Sequence, residues 1–75
     1  MARDAVPALI DALRDEDADV RRAAVRSLGW IGPEAKAALP ALKKALIDND
    51  SSIRVAAARS MEMIDPNKSA RENEQ

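Results

Sequence analysis

The stretch Asp17–Ile31, DADVRRAAVRSLGWI, decides the fold, because nearly the same stretch returns 33 residues later as Asp50–Ile64, DSSIRVAAARSMEMI. In both stretches, apolar side chains recur at the three- and four-residue spacing of one helix face. Asp17 and Asp50 are placed to act as N-caps, and Gly32 is placed to end the first of these helices. Each stretch therefore predicts one amphipathic helix.

The repetition extends well beyond these two helices. Residues 5–35 align with residues 38–68 without a gap, and 15 of the 31 pairs are identical. In both copies a shorter helix carrying a proline, Pro7 or Pro40, comes before an acidic turn. Pro40 predicts a kink, or a short helical turn before a helix that begins near Ala38. A helix–turn–helix unit repeated at this period is typical of an α-solenoid.

We therefore predict an all-α fold, a fragment of an α-solenoid made of two stacked antiparallel helical hairpins. Residues 1–66 hold the two repeats, at about 5–33 and 34–66. The tail at residues 67–75 is predicted to be disordered, because it has no large apolar side chain to bury. A helical-wheel projection places Gly29 on the outward face, with Arg22 and Arg26. It predicts that the most buried positions are Leu9, Leu13, Val20, Ala24, Leu28, Leu42, Leu46, Ile53, Ala57 and Ile64.

Composition excludes several classes of function. The chain has no cysteine and no histidine, which excludes disulfides, cysteine-type metal sites and the commonest acid–base side chain. We therefore expect a protein that is not an enzyme and binds no cofactor or metal. A net charge of −1 argues against nucleic acid as a partner. Without an apolar run of about 20 residues or a signal-peptide segment, we expect a cytoplasmic protein with no membrane contact.

The pattern resembles the HEAT repeats, and more closely the short HEAT-like repeats of the phycobilisome-lyase type. The resemblance covers about residues 5–66. It rests on Pro7 and Pro40, on the aspartates of the turns, and on the pairs VR and IR that open the second helices. It implies a fold rather than an activity: the proline bends the first helix, and aspartate and arginine side chains form a polar ladder along the stacked turns. The positions that match this ladder are Asp15, Arg21, Asp48 and Arg54.

Three arginines form a candidate partner site. Arg22 and Arg26 lie one turn apart on the same helix face, and Arg26 is equivalent to Arg59 in the second repeat. Stacked repeats would align the equivalent pair about 10 Å apart. This arrangement is either an ordinary solvated basic face or a small docking patch for an acidic segment or a phosphate. Trp30 lies beside Arg26 on the wheel, where cation–π stacking is available.

The ends of the array predict self-association. A solenoid unit buries its faces against its neighbours, and three or more units with polar caps are usual. This chain has only two, and neither end is polar. The apolar residues at the ends are Val6, Ile10, Val25 and Trp30 on one unit and Ile47, Val55 and Met63 on the other. We expect a homo-oligomer, with a dimer favoured. The candidate contacts are Trp30, Met63 and Ile47, each large, apolar and near the edge of the inward face of its helix.

These observations predict a non-enzymatic protein–protein interaction or scaffold module of HEAT-like repeats that associates with itself. Three alternatives remain open. The first, which rests on the resemblance alone, is an auxiliary subunit of an enzyme such as a bilin lyase. The second is a weak binder of phosphate or nucleic acid that uses Arg22, Arg26 and Arg59. The third is an engineered repeat scaffold, although mismatched pairs such as Gly29 and Glu62 are more typical of natural divergence.

Overall fold

Four α-helices, two in each repeat, make up the framework of residues 2–66. The computed structural model describes residues 2–66, and its regular structure over that range is entirely helical. The predicted all-α solenoid fragment is thereby confirmed. The helices are α1 (Val6–Ala12), α2 (Ala18–Ile31), α3 (Leu39–Ala45) and α4 (Ser51–Ile64), with 3₁₀ segments at Ala2–Ala5 and Gly32–Ala38.

The second helices, α2 and α4, begin and end where the sequence predicts. The Asp17 carboxylate accepts a hydrogen bond from the backbone N–H of Asp19 at 2.8 Å, and the Asp50 carboxylate accepts one from that of Ser52 at 2.8 Å. Both aspartates are therefore N-caps, which satisfy donors that the first helical turn leaves unpaired. The helix α2 ends at Gly32, whose φ of 79° is a conformation that side chains with a Cβ rarely adopt.

The first helices, α1 and α3, are short, at seven residues each, and both carry proline within their first two positions. Proline is tolerated there because its missing N–H would have no partner within the helix. Between α2 and α3 the 3₁₀ segment is interrupted at Ala35, which has φ of −94° and ψ of 20°. The predicted short helical turn before a helix beginning near Ala38 is confirmed.

The helices form two layers. The most extensive contact joins α2 to α4, and α1 and α3 each pack against the second helix of their own repeat. Arg22 contacts Ser52 near the N-terminal ends of α2 and α4, and Gly29 lies against Ser60 in their C-terminal halves, so these helices run in the same direction. No helix in the part of the chain that the structure describes could cross a membrane.

The core lies between these layers, and the predicted set is partly right. Six of the ten predicted positions are buried, namely Ala24, Leu28, Leu42, Ile53, Ala57 and Ile64. Leu9 and Leu13 are half-buried. Two predictions are wrong, because Val20 is 38% exposed and Leu46 is 37% exposed. Val20 is equivalent to Ile53, which repeat 1 covers, whereas no repeat covers Val20.

Two assignments to an uncovered end of the apolar stripe are also wrong, because Val6 and Val25 are both buried. Val25 was predicted to lie at an uncovered end of the apolar stripe, but it is fully buried. Its backbone carbonyl accepts a hydrogen bond from α4, so the stacking of α4 on α2 covers this position. The remaining core residues that the wheel did not single out are small or lie in the first helices and the 3₁₀ segment, namely Val6, Ala35, Ala38 and Ala45. The predicted disorder of the tail lies outside the described residues.

Candidate interaction groove between the second helices

The two second helices approach most closely at Gly29 and Ser60. A Cβ atom placed on Gly29 would lie 2.6 Å from Oγ of Ser60 and 3.1 Å from its Cα, too close for a side chain. Ser60 is buried, and its hydroxyl donates a hydrogen bond of 2.7 Å to the carbonyl of Val25. The glycine therefore lets α4 lie directly on α2, and the serine fixes the register of the two helices.

A polar ladder joins the turns of the two repeats. The Arg21 guanidinium donates from Nε to Oδ2 of Asp48 at 2.9 Å and from Nη2 to Oδ1 at 3.2 Å. Its Nη1 donates to the backbone carbonyl of Asp15 at 2.8 Å, and Nη1 of Arg54 donates to that of Asp48 at 2.6 Å. The two-point contact between Arg21 and Asp48 fixes both groups, since a guanidinium and a carboxylate are planar and complementary.

Electrostatics reinforce this ladder. The hydrogen bonds from Arg21, and then the one from the backbone N–H of Asp50, hold the pKa of Asp48 below its ordinary value. The pKa of Asp50 is likewise lowered, chiefly by the hydroxyl and the backbone N–H of Ser52. Both carboxylates are therefore stabilised in their charged form.

Arg22, the first residue of the predicted arginine patch, is engaged within the protein. It donates from Nη1 to Oδ1 of Asp19 at 2.7 Å, from Nη2 to Oδ2 of Asp50 at 3.0 Å and from Nε to Oγ of Ser52 at 2.8 Å. The hydrogen bond to Asp19 contributes most to raising the pKa of Arg22. Its charge is thus compensated by carboxylates, and its role is to connect the start of α2 to the start of α4.

Arg26 and Arg59 differ from Arg22. Both side chains are exposed, and among residues 4–66 neither forms a hydrogen bond or an ion pair. They lie along an open groove of about 340 Å³ between α2 and α4, which we call the α2–α4 groove. The groove combines uncompensated positive charge with apolar side chains. Its lining residues are Arg22, Arg26, Trp30, Ser52, Val55, Ala56, Arg59, Ser60 and Met63.

The structure brings two of the three candidate interface residues together. Trp30 and Met63 both line the α2–α4 groove, with exposed fractions of 81% and 48%. Ile47 is 83% exposed but lies in the turn before α4, whereas Met63 lies at the other end of that helix. A helix of 14 residues spans about 21 Å, so Ile47 is remote from the end of the groove that holds Trp30 and Met63, and it is not among the residues that line the groove. Val55, which was not among the candidates for the contact, completes the apolar part of the groove.

The side chains that line the α2–α4 groove are suited to binding a partner. The Ser60 hydroxyl is committed to the carbonyl of Val25, and Ser27 is exposed with no base beside it. Within the described part of the chain, no group of three acidic, histidine or cysteine side chains could hold a metal ion. What the groove offers is apolar surface for a large side chain and two free guanidinium groups for carboxylates.

The close approach at Gly29 was missed by the wheel, which placed this glycine on the outward face. A signal was present in the sequence, since a glycine in a helix interior that is otherwise rich in alanine costs stability unless close packing requires it. The identity of Ser27 and Ser60 in the two repeats was a second signal.

Comparison with known proteins gives one match. The family model for HEAT repeats matches residues 2–62, which is most of the chain. No curated protein and no solved structure matches the sequence.

Proposed function

The chain belongs to the HEAT-repeat family, and from that premise we propose that it is a protein–protein interaction module that binds an acidic segment of a partner in the α2–α4 groove. HEAT repeats in general mediate contacts between proteins and are scaffolds rather than enzymes. The observation that carries the proposal is the pair of uncompensated arginines, Arg26 and Arg59, beside the exposed Trp30.

The charge pattern favours an acidic protein segment over nucleic acid. Arg22 is already paired with Asp19 and Asp50, so only Arg26 and Arg59 remain for an anionic partner in this groove. Nucleic-acid binding draws its affinity from many phosphate contacts, and two arginines supply few. A segment with carboxylates on either side of one large apolar residue would use both arginines together with Trp30 and Met63.

A peptide titration tests this proposal. The probe is a fluorescein-labelled peptide of glutamates flanking one central leucine, with a lysine-for-glutamate peptide of equal length as the control. Binding is followed by fluorescence anisotropy at low and at physiological salt. The acidic peptide should bind, and its affinity should fall with salt because exposed charges are screened. The double variant R26A R59A should bind about tenfold more weakly, at up to about 1 kcal/mol for each exposed ion pair.

Lys43 and Lys44 on α3 provide the matched control. Both are exposed and lie outside the α2–α4 groove, so K43A K44A removes the same charge from a different surface. Equal weakening by the two double variants would mean that only net charge matters, which would contradict the proposed site. Labelled single- and double-stranded oligonucleotides serve as further ligands. Binding of these as tight as that of the acidic peptide would favour the phosphate-binding alternative.

Self-association through the same groove is a second candidate function. Trp30, Val55 and Met63 expose adjoining apolar surface, and such surface usually marks an interface. A two-fold dimer would place the arginines of one copy near those of the other, so screening of like charges by salt should strengthen it. Binding of an acidic partner has the opposite salt dependence.

Light scattering over a concentration series, at low and high salt, tests the dimer. The fraction of dimer should increase with salt, and the dimer should be lost in the variant W30A M63A. The variant I47A should leave the dimer unchanged, because Ile47 lies at the other end of α4 from Met63. A wild-type chain that stays monomeric at high micromolar concentration in both salts would exclude self-association. That result would leave the acidic-partner proposal standing.

A further inference from the structure

The contact between the two repeats shows which groups one repeat uses to pack on another. On the side of repeat 1 the contact uses three features of α2: the guanidinium of Arg21, the guanidinium of Arg22 and the space left by Gly29. On the side of repeat 2 it uses the carboxylates of Asp48 and Asp50 together with the hydroxyl of Ser60. The two arginines donate hydrogen bonds to the two aspartates, and we therefore call the first set the donor set and the second the receiving set.

The receiving set is present a second time, on the opposite side of repeat 1. Asp15, Asp17 and Ser27 are the residues equivalent to Asp48, Asp50 and Ser60, and all three are identical and exposed. Oδ1 of Asp15 accepts a hydrogen bond from the N–H of Asp17, as Oδ1 of Asp48 does from that of Asp50. Within residues 4–66, no arginine side chain reaches the carboxylate of either Asp15 or Asp17.

Apolar surface lies between these polar groups. A shallow groove of about 360 Å³ runs along the same side of α2, and Val20 in it is equivalent to the fully buried Ile53 of repeat 2. We call this surface the N-terminal face. Its residues are Asp15 and Asp17 with the groove lining Leu9, Ala12, Asp19, Val20, Ala23, Ala24 and Ser27. It uses the side of α2 that faces away from α4, so it is separate from the α2–α4 groove.

The donor set, in contrast, is not retained at the other end of the chain. Arg54 keeps the position of Arg21, but Val55 stands at the position of Arg22 and Glu62 at that of Gly29. In the contact seen between the repeats, a Cβ at this last position would approach the serine hydroxyl to 2.6 Å. Glu62 brings such a Cβ and a longer side chain as well. The chain's own C-terminal side therefore does not fit its N-terminal face.

We propose that the N-terminal face is a docking surface for another HEAT unit, one whose second helix carries arginine, arginine and glycine at the positions of Arg21, Arg22 and Gly29. The two arginines of that unit pair with Asp15 and Asp17, and its glycine admits Ser27. Glu62 keeps the C-terminal side of this chain from occupying the face, so copies do not polymerise head to tail. Repeat 2 thus lacks the features that docking on this face requires, whereas repeat 1 presents the face that receives them.

The chain itself provides the probe that tests this proposal. The variant V55R E62G restores the donor set to repeat 2, while V55R E62A differs from it only by the one methyl group that the contact excludes. Sedimentation velocity over a concentration series should show open-ended oligomers for V55R E62G, with association at least tenfold tighter than for V55R E62A. Any association through the α2–α4 groove is common to both variants and cancels in this comparison.

A third variant shows whether the association uses the proposed face. Adding S27E to V55R E62G places a charged side chain on the N-terminal face and should return sedimentation to that of V55R E62A. Circular dichroism confirms that all three variants remain helical. The proposal is overturned if V55R E62G sediments like V55R E62A, or if S27E leaves its association unchanged. Neither result bears on the acidic-peptide titration, which concerns the other surface.

Discussion

Replacing Gly29 by alanine tests the stacking of α2 on α4, because helix propensity and stacking predict opposite changes in the free energy of unfolding. Propensity predicts a gain of stability, and stacking predicts a loss. Alanine in an unencumbered helix interior is more stable than glycine by about 1 kcal/mol. Here the added Cβ would lie 2.6 Å from Oγ of Ser60 and 3.1 Å from its Cα. Either Ser60 turns away from the carbonyl of Val25 and leaves a buried hydroxyl unpaired, or the helices move apart. Each route costs about 1–3 kcal/mol.

The expected net effect of Gly29→Ala is a loss of up to about 2 kcal/mol of stability, which in a domain of this size lowers the Tm by up to about 15 °C. Thermal unfolding is followed by circular dichroism for the wild type, G29A, S60A and the double variant. Because S60A removes the atom nearest the new methyl group, the two losses should sum to more than the loss in the double variant. A G29A chain that melts above the wild type would refute the close contact.

Two further substitution or pH effects follow from the core and the ladder. Leu42→Ala removes a fully buried side chain and should cost about 2–5 kcal/mol in urea unfolding, whereas Val20→Ala should cost less than about 1 kcal/mol; equal costs would mean that the helix faces are misassigned. The lowered pKa values of Asp48 and Asp50 mean that the unfolded chain binds more protons in acid. Their contribution to stability is therefore present above about pH 4 and is lost as the pH falls through their folded pKa values. In urea titrations from pH 7 to pH 2, Asp48→Asn should be destabilised at pH 7 and should lose less stability in acid than the wild type does; an unchanged acid dependence would contradict the ladder.

Periodicity predicts much of this fold because it reports which face of a helix is apolar. The 33-residue repeat, the caps Asp17 and Asp50 and the helix end at Gly32 are local features, and local chemistry determines them. The same wheel misjudged Val20 and Val25, because it cannot tell which apolar positions have a neighbouring repeat. Val25 is covered by α4, and its burial depends on stacking along the array, whereas no further repeat covers Val20.

The residues of the candidate site could be predicted from the sequence, but the contacts that these residues form across the two repeats could not. Charge and spacing pointed to Arg22, Arg26 and Arg59 as one set. The structure divides that set, because Asp50 and Ser52 come from the other repeat and engage Arg22. This contact cannot be predicted from the sequence alone, because it depends on the register in which α2 packs on α4. The register in turn depends on the close approach of Gly29 to Ser60, which a pattern of apolar residues does not reveal.

The central claim, that the α2–α4 groove binds an acidic protein segment, is tested most directly at Trp30, the only tryptophan of the chain and 81% exposed. The measurement is acrylamide quenching of its fluorescence at low protein concentration, with and without a saturating unlabelled acidic peptide. Trp30 should be quenched readily in the free chain and strongly protected when the peptide is bound, and this protection should be lost at high salt. Quenching that stays the same at peptide concentrations where anisotropy reports binding would place the peptide elsewhere and contradict the claim.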